Sequence, residues 1–263
     1  MLSHIIQGSG ETIVFLHGFC ENKHLWDYQL DGLKNDFHLI SFDLPAFGES
    51  PITVSRGEFS IEYMAKSVKN SLDKLGVEQC VLIGHSLGGY VALAFAEMFP
   101  KYLLGLGMFH STAFADSELK KSNRDKTMDF IKRNGVDLFA KSFVQPLFSK
   151  KRKGEFEEEI KQCQKIVRNT TLESILWTTE AMKARPDRST VLKSLTIPVI
   201  YIIGEDDLAV PLEQSKKQVN LASKTKAYFL KNVAHMGMYE EKELTKQLIK
   251  SFCNTVFNKK GQL

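Results

Sequence analysis

The stretch Gly84-His85-Ser86-Leu87-Gly88 decides how this chain is built. It follows an apolar run at 80–83, which predicts a buried strand, and it precedes the helix-forming run 90–98. A glycine-x-serine-x-glycine pentapeptide between a strand and a helix is typical of a nucleophile elbow, a turn so sharp that its neighbours must lack bulk. Such a turn lifts the Ser86 hydroxyl clear of the sheet, where a base can reach it. The alternative interpretation is a glycine-rich turn with an idle serine.

Strand and helix patterns alternate on both sides of this stretch. Apolar runs at 13–16, 38–42, 80–83 and 103–109 predict buried strands, and 61–75 has the apolar spacing of a helix. Strands that alternate with helices at this spacing predict a mostly parallel sheet with helices on both faces.

The alternation stops between about residues 112 and 190, where the sequence is charged and helical. Buried-strand patterning returns at 197–203 and 227–230. We therefore predict one α/β core, made of residues 1–111 and 191–263, that is interrupted by a helical cap over 112–190. Helices within the cap are predicted over 119–132, 136–143, 156–167 and 172–182.

Composition and cysteine spacing indicate the class of protein. The hydrophobic content of 43% and the charged content of 25% are ordinary for a soluble globular protein. No apolar run approaches the ~20 residues that span a bilayer, and the N-terminus lacks the basic and apolar parts of a signal peptide. Four cysteines are scattered without metal or redox spacing. These features predict a reduced, cytoplasmic protein without a membrane span.

Basic residues are concentrated in the helical segment. Residues 112–193 hold 18 Lys/Arg and 12 Asp/Glu, whereas the rest of the chain holds 17 and 19. The cluster Lys150-Lys151-Arg152-Lys153 is followed at once by four glutamates, which favours a solvated loop and helix start over an anion-binding patch or a membrane surface. No basic face carries interleaved aromatic residues, so nucleic acid is not an expected partner.

A serine nucleophile needs a base, and the base needs a carboxylate that holds its tautomer. His235 follows the last predicted strand, which places it at the edge of the sheet where ligands bind in open α/β folds. Glu205, Asp206 and Asp207 directly follow the strand at 197–203, in the chain order serine, acid, histidine. The chemistry of these residues leaves the choice of acid open.

Backbone amides would stabilise the oxyanion that forms when the serine attacks a carbonyl. We expect one amide from Leu87 and the other from Phe19, in the loop after the strand at 13–16. His17 is interpreted as a structural loop histidine rather than a second base, and His85 as a packing residue. The residues predicted to line the pocket, without a catalytic role, are His110, Phe143, Trp177 and Met236.

Several motifs occur in a fixed order along the chain and cover nearly all of it outside the cap. They are His17-Gly18-Phe19, Asp43 to Ser50, Gly84 to Gly89, Arg185 to Arg188, Ile197-Pro198-Val199, Gly204-x-x-Asp207-x-x-Val210-Pro211 and His235. This set resembles the α/β-hydrolase superfamily, in its branch of small capped esterase-like and lactonase-like serine hydrolases. The resemblance implies an α/β-hydrolase fold, and its G-x-x-D-x-x-(V/T)-P spacing selects Asp207 as the acid.

The resemblance also implies a reaction. A small-molecule acyl substrate, a carboxylic ester, would be cleaved through Ser86, His235 and Asp207 by way of an acyl-enzyme, with no metal and no organic cofactor. Serine at the elbow argues against epoxide hydrolases and haloalkane dehalogenases, which resemble this fold but have aspartate there. The alternatives are a lactone, thioester or carbon–carbon bond hydrolase or lyase with the same triad, and a non-catalytic ligand receptor. The basic excess of the cap would suit an acidic substrate.

The sequence departs from the family pattern at two places, and each departure predicts a local change in structure. Ala46 stands where the family usually has glycine, a mild change for the loop that follows the second core strand. The family's first strand is missing, because residues 3–7 and the turn Gly8-Ser9-Gly10 leave room only for a short hairpin before the strand at 13–16. We therefore predict seven strands rather than eight.

Overall fold

Seven strands form one sheet in the computed structural model, which describes residues 1–260, with side chains through residue 258. The strands are β1 (His4–Gln7), β2 (Thr12–Leu16), β3 (His38–Phe42), β4 (Cys80–His85), β5 (Leu103–Phe109), β6 (Val199–Gly204) and β7 (Thr225–Leu230).

The sheet has the order β1-β3-β2-β4-β5-β6-β7 and is parallel except at one edge, where β1 runs antiparallel to β3. β2, β4 and β6 are buried at every position. Alternate residues of a strand point to opposite faces, so complete burial means that both faces are covered. The predicted α/β-hydrolase fold with seven strands is confirmed.

The first strand pairs differently from the hairpin predicted for it. β1 lies beside β3, and β2 lies on the other side of β3, so the two consecutive strands do not touch as a hairpin would. Gly8 explains the separation, since it has a φ of 72° and a Cβ there would lie 2.1 Å from the Phe37 carbonyl oxygen. The turn thus passes directly against the chain that leads into β3, and the backbone N–H of His38 donates to the carbonyl of Glu11 at 3.0 Å.

Helices cover the sheet and fill the interval between β5 and β6. Ten are present among the described residues: α1 (Asp27–Leu33), α2 (Ile61–Lys74), α3 (Leu87–Met98), α4 (Glu118–Val144), α5 (Glu157–Asn169), α6 (Leu172–Ala184), α7 (Ser189–Ser194), α8 (Leu212–Gln218), α9 (Gly237–Glu240) and α10 (Lys242–Lys260). In the core, α2 packs against α3 and α1 packs against α10. No helix within residues 1–260 is long and apolar enough to cross a membrane.

Helix α4 is two helical pieces joined at Gly135, which has a φ of 82° and a ψ of 169°. Those angles lie outside the helical region, and glycine adopts them without a steric penalty. The two pieces correspond to the helices predicted over 119–132 and 136–143. Both α5 and α6 pack against α4, which makes it the central helix of the segment between β5 and β6.

The loop after β3 places Ala46, which stands where the family usually has glycine, in a left-handed conformation. Ala46 has a φ of 80°, a left-handed conformation that costs an L-residue about 1–2 kcal/mol. The carboxylate of Asp43 holds the loop, because it accepts hydrogen bonds from the backbone N–H of Lys23 at 2.7 Å and of Glu49 at 2.9 Å. The Lys23 ammonium lies 2.8 Å from the same carboxylate.

Candidate active site

Ser86 occupies the turn between β4 and α3 with strained backbone angles, φ 49° and ψ −111°. Its backbone N–H donates to the Phe109 carbonyl at 3.0 Å, which anchors the turn to β5. The flanking glycines are required by close contact. A Cβ at Gly84 would lie 2.2 Å from the Gly88 carbonyl oxygen, and one at Gly88 would lie 2.4 Å from the Leu16 carbonyl oxygen. A positive φ at a non-glycine residue is uncommon and concentrates at functional sites.

His235 lies in the loop after β7, and hydrogen bonds hold both its backbone and its ring. Its backbone N–H donates to the Leu147 carbonyl at 2.8 Å, and its carbonyl accepts from His85 Nε2 at 3.0 Å. Its Nδ1–H donates to Asp207 Oδ2 at 2.7 Å. This arrangement leaves Nε2 of His235 as the nitrogen that is free to accept a proton.

Asp207 is the acid that reaches His235. Its other oxygen, Oδ1, accepts the backbone N–H groups of Ala209 at 2.8 Å and Val210 at 2.9 Å. Burial by itself would raise the pKa of this carboxyl, but the charge and hydrogen bond of His235, together with those of His110, hold the pKa well below its usual range. Asp207 is therefore ionised at neutral pH.

Asp206 points elsewhere. Its carboxylate accepts from the Ser149 hydroxyl at 2.8 Å and from the Lys151 ammonium at 2.7 Å. The backbone N–H of the third acid, Glu205, donates to the Leu230 carbonyl at 3.0 Å. Of the three consecutive acids, the structure therefore brings only Asp207 into contact with the imidazole.

A cavity of about 600 Å³ connects the candidate nucleophile and base, since both line its wall. Phe143, from α4, also lines it. The other lining residues come from both the sheet-forming parts and the helical segment: Phe19, Tyr90, Ser117, Leu119, Lys120, Asn123, Arg124, Thr127, Leu147, Met182, Leu208, Ala209, Val210, Pro211 and Gln214.

The two residues expected to donate to an oxyanion both lie beside Ser86 or the cavity that it lines. Leu87 is the first residue of α3, so its backbone N–H has no partner within the helix. Phe19 lines the cavity that Ser86 lines. Within residues 1–260, neither backbone N–H has a hydrogen-bond acceptor. Both amides are therefore available to an oxygen bound in the cavity.

His17 positions the loop that carries Phe19. Its Nε2 accepts the backbone N–H of Leu44 at 2.9 Å, so Nδ1 carries the proton and donates to the Gly18 carbonyl at 2.7 Å. Burial lowers the pKa of this histidine, which keeps the ring neutral. Because the peptide is planar, fixing the Gly18 carbonyl also fixes the direction of the Phe19 N–H.

His85 and Glu21 form a buried pair whose role the sequence analysis missed. Glu21 Oε2 accepts from the Gly18 backbone N–H at 2.5 Å and from His85 Nδ1 at 2.9 Å, and His85 Nε2 donates to the His235 carbonyl. His85 thus contacts an oxygen with each of its two ring nitrogens. Burial would raise the Glu21 pKa, but the charge and hydrogen bond of His85 lower it below its usual value. His85 is therefore not merely a packing residue, since it links the Gly18 loop to the His235 loop.

Three of the residues that were predicted to line the pocket lie outside its wall. Among the described residues, His110, Trp177 and Met236 are not part of the cavity wall. His110 is buried beneath the acid, with Nδ1 3.5 Å from an oxygen of Asp207, and Met236 is fully buried. Trp177 packs edge-on against Phe59, with ring centroids 5.9 Å apart. His110 and Met236 are therefore buried in the core, and Trp177 is half-buried against Phe59.

His110 supplies a pH-dependent contribution to stability. Burial lowers its pKa to about 4, and backbone N–H groups of Gly204 and Gly237 approach its two ring nitrogens at 3.1 and 3.2 Å. In the unfolded chain, a histidine titrates near pH ~6.5. Between these two values the unfolded state binds the extra proton, so folding free energy is lost as the pH falls.

The variant His110→Asn tests this contribution, because asparagine tolerates the φ of 46° found at this position. Between about pH 4.5 and 6, it should flatten the slope of unfolding free energy against pH by about 1.4 kcal/mol per pH unit, the value for one proton. Urea unfolding at several pH values measures the slope. His24→Asn, at an exposed histidine, should keep the slope of the unmodified protein. Equal slopes for all three proteins would contradict the assignment.

Neither the cysteines nor the acidic and histidine side chains form a metal centre in the described part of the chain. Cys20, Cys80, Cys163 and Cys253 are all free and buried. Within residues 1–260, no group of three or more His, Cys, Asp or Glu side chains is arranged to hold a metal ion.

Comparison with known proteins agrees with this architecture. A family model for the α/β hydrolase fold matches residues 11–242. A thermophilic esterase from Thermogutta terrifontis superposes with a TM-score of 0.90 at 27% identity, over 97% of this chain and 93% of that chain. A putative carbamate hydrolase of Pantoea ananatis is 28% identical over 206 residues, which are 76% of this chain and 73% of that protein.

Human epoxide hydrolase 4 is 34% identical over 94 residues, which are 36% of this chain and 26% of that protein. The chain spans only about a quarter to a third of the length of the first curated relatives that it matches. The family match covers far more than half of the chain, from the start of β2 to the start of α10. The chain therefore belongs to the α/β-hydrolase fold family.

Proposed function

We propose that the protein is a serine hydrolase that cleaves small carboxylic esters through Ser86, His235 and Asp207. One observation carries the proposal. The imidazole of His235, held at Nδ1 by a buried carboxylate 2.7 Å away, lines the same cavity as the strained Ser86. A hydroxyl, a base and an orienting acid are the three components that acyl transfer requires.

The proposed reaction has two steps. Nε2 of His235 removes the Ser86 proton as the oxygen attacks the ester carbonyl, and the Asp207 carboxylate stabilises the imidazolium that forms. The N–H groups of Phe19 and Leu87 stabilise the oxyanion. The imidazolium then protonates the leaving alcohol, and water attacks the acyl-enzyme with His235 again acting as base. No step requires a metal or an organic cofactor.

The helical segment acts in this proposal as a cap over the site. Residues 112–190 contribute Arg124, Phe143, Leu147 and Met182 to the cavity wall, and the core contributes Ser86 and His235. The core then consists of residues 1–111 and 191–260, and the last three residues of the predicted core segment lie outside the described chain. A pocket shared between cap and core supports a small-molecule substrate that both parts contact.

Relatives of this chain have names that refer to esters, carbamates and epoxides, so the choice of ester rests on the elbow itself. A hydroxyl nucleophile activated by a histidine favours attack on an acyl carbon. Lactones and thioesters would react at the same centre, and a carbon–carbon hydrolase or lyase would use the same triad. A ligand receptor would bind without turnover.

A fluorophosphonate probe combined with a substrate panel tests the proposal. We expect a single adduct, which peptide mass spectrometry assigns to Ser86, and turnover of short-chain aryl esters. Absence of the adduct would contradict the proposal and favour a receptor. An adduct on Ser86 without turnover of any ester, lactone or thioester would instead favour the carbon–carbon hydrolase or lyase.

A further inference from the structure

The first three turns of α4 present a polar face to the cavity that Ser86 lines. Lys120, Asn123, Arg124 and Thr127 all belong to its wall, and their spacing of three and four residues puts them on one side of the helix. Among the described residues that line the cavity, Lys120 and Arg124 carry full positive charges, and none is an aspartate or a glutamate. A cap helix would ordinarily turn an apolar face toward a buried site.

Both cations keep hydrogen-bond donors for a ligand. The Lys120 ammonium donates one bond, to the Ala209 carbonyl at 2.9 Å, and has two further N–H groups. Arg124 donates through Nε to the Asp116 carboxylate, and its Nη1 contacts the Met182 sulfur at 3.6 Å. Within residues 1–260, its Nη2 has no hydrogen-bond acceptor. The guanidinium of Arg124 therefore keeps N–H groups, at Nη2, that can donate to a ligand.

Positively charged side chains outnumber negatively charged side chains at this wall. Asp116, whose side chain is completely buried, is shared by Arg124 and by Arg185, whose Nη2 lies 2.9 Å from it. Arg124 and Arg185 therefore share one carboxylate, and Lys120 is paired with a backbone carbonyl rather than with an acid. Partly buried cations that outnumber their acidic partners favour the binding of an anion.

Tyr90 adds a neutral donor to the same region. It lines the cavity from α3, and the Arg185 guanidinium stacks 3.9 Å from its ring centroid. Burial alone would raise the pKa of this phenol, but Arg185, Lys120 and Arg124 outweigh burial and lower the pKa. The environment of Tyr90 is thus electropositive, and in the described structure its hydroxyl makes no hydrogen bond to protein.

We infer that Lys120, Arg124 and Tyr90 form a subsite that binds a carboxylate at the far end of the acyl group. The preferred substrates are then half-esters of short dicarboxylic acids, or lactones that carry a carboxylate, rather than neutral esters. A carboxylate pairs well with a guanidinium and an ammonium because both bonds are charge-assisted. This inference rests on the proposed function, since the acyl carbon must reach Ser86.

The test compares two aryl esters of equal length that differ only in the distal charge, an aryl hydrogen glutarate and its methyl-capped neutral counterpart. We expect kcat/KM to favour the anionic ester by about tenfold or more, mainly through KM. The preference should weaken as ionic strength rises. Similar kcat/KM values for the two esters would overturn the subsite.

Lys120→Met tests the subsite directly, because it keeps the length of the side chain and removes its charge. We expect KM for the anionic ester to rise about fivefold to tenfold more than KM for the neutral ester. Lys121→Met is the matched control, since this neighbour pairs with Glu118 at 2.9 Å and does not line the cavity. Equal losses on both esters in Lys120→Met would show a structural role and contradict the inference. Tyr90→Phe, which removes only the hydroxyl, provides a second variant with the same expected selectivity.

The two proposals fail in different ways. Turnover of the neutral ester without any preference for the anionic ester would overturn the subsite and leave the proposed hydrolase intact. If no ester is turned over, calorimetric titration of the protein with glutarate still tests the subsite, and binding that Lys120→Met weakens would support it. Absence of glutarate binding, together with absence of selectivity, would reject it.

Discussion

Replacing Ser86 with alanine is expected to lower kcat/KM on a short aryl ester by about 10⁴-fold or more. In the proposed reaction, the substitution removes the oxygen that forms the acyl-enzyme, so His235 and the two amides would be left without a nucleophile to activate. The backbone conformation is not expected to change, since serine and alanine meet the same steric cost at a φ of 49°. Initial rates with a chromogenic ester measure the effect, and the thermal unfolding midpoint reports on the fold.

Ser67→Ala is the control for this variant. The Ser67 hydroxyl lies on α2 and donates to the Tyr63 carbonyl at 2.9 Å, away from the cavity. The Ser67→Ala variant should keep full activity and full labelling by a fluorophosphonate, whereas Ser86→Ala should lose both. Activity of Ser86→Ala near that of the unmodified protein would remove Ser86 from the mechanism.

Asp207→Asn is expected to reduce kcat by about 10³–10⁴-fold. The amide occupies the same volume but carries no charge, so it neither stabilises the imidazolium nor enforces the tautomer with the proton on Nδ1 of His235. Because the pKa of Asp207 lies well below its usual range, its carboxylate is charged at neutral pH and the full loss should be seen there. Rates of the variant and of the unmodified protein at neutral pH measure the size of the loss.

The adjacent Asp206→Asn makes a closely matched comparison. Asp206 pairs with the exposed Lys151 and with Ser149, and it does not reach the imidazole. An exposed pair contributes about 0–1 kcal/mol, so we expect activity within about threefold of the unmodified protein. A larger loss in Asp206→Asn than in Asp207→Asn would reverse the proposed assignment of the acid.

Much of the fold was readable from local patterns. The strands β3 and β5 have the bounds predicted from their apolar runs, and the elbow joins β4 to α3 as expected. The errors arise where the outcome depends on distant contacts. β1 was expected to form a hairpin with the next strand, but Gly8 packs against the carbonyl of Phe37 and carries the chain past β3.

In the candidate site too, some features were predictable from local sequence and others depended on distant contacts. The loop positions of Ser86 and His235 were predictable, because nucleophile and base follow strands in a fixed order. The partners of His85 were not predictable, since Glu21 and the His235 carbonyl come from distant parts of the chain. His110 ends a strand near the site, but the direction of its side chain depends on the loops of Gly204 and Gly237 that pack over it.

By itself, the sequence determined the fold family, the elbow and the order of the candidate triad. Glycine spacing, strand periodicity and turn chemistry act over a few residues and are therefore visible in the chain. The tertiary structure identified the acid that contacts His235 independently of any family pattern. Only the tertiary structure showed which charged side chains of the helical segment line the cavity. Both depend on side-chain directions across separate elements, and packing of the whole molecule sets those directions. Lys120 and Lys121 are neighbours in sequence, yet only Lys120 lines the cavity with Ser86.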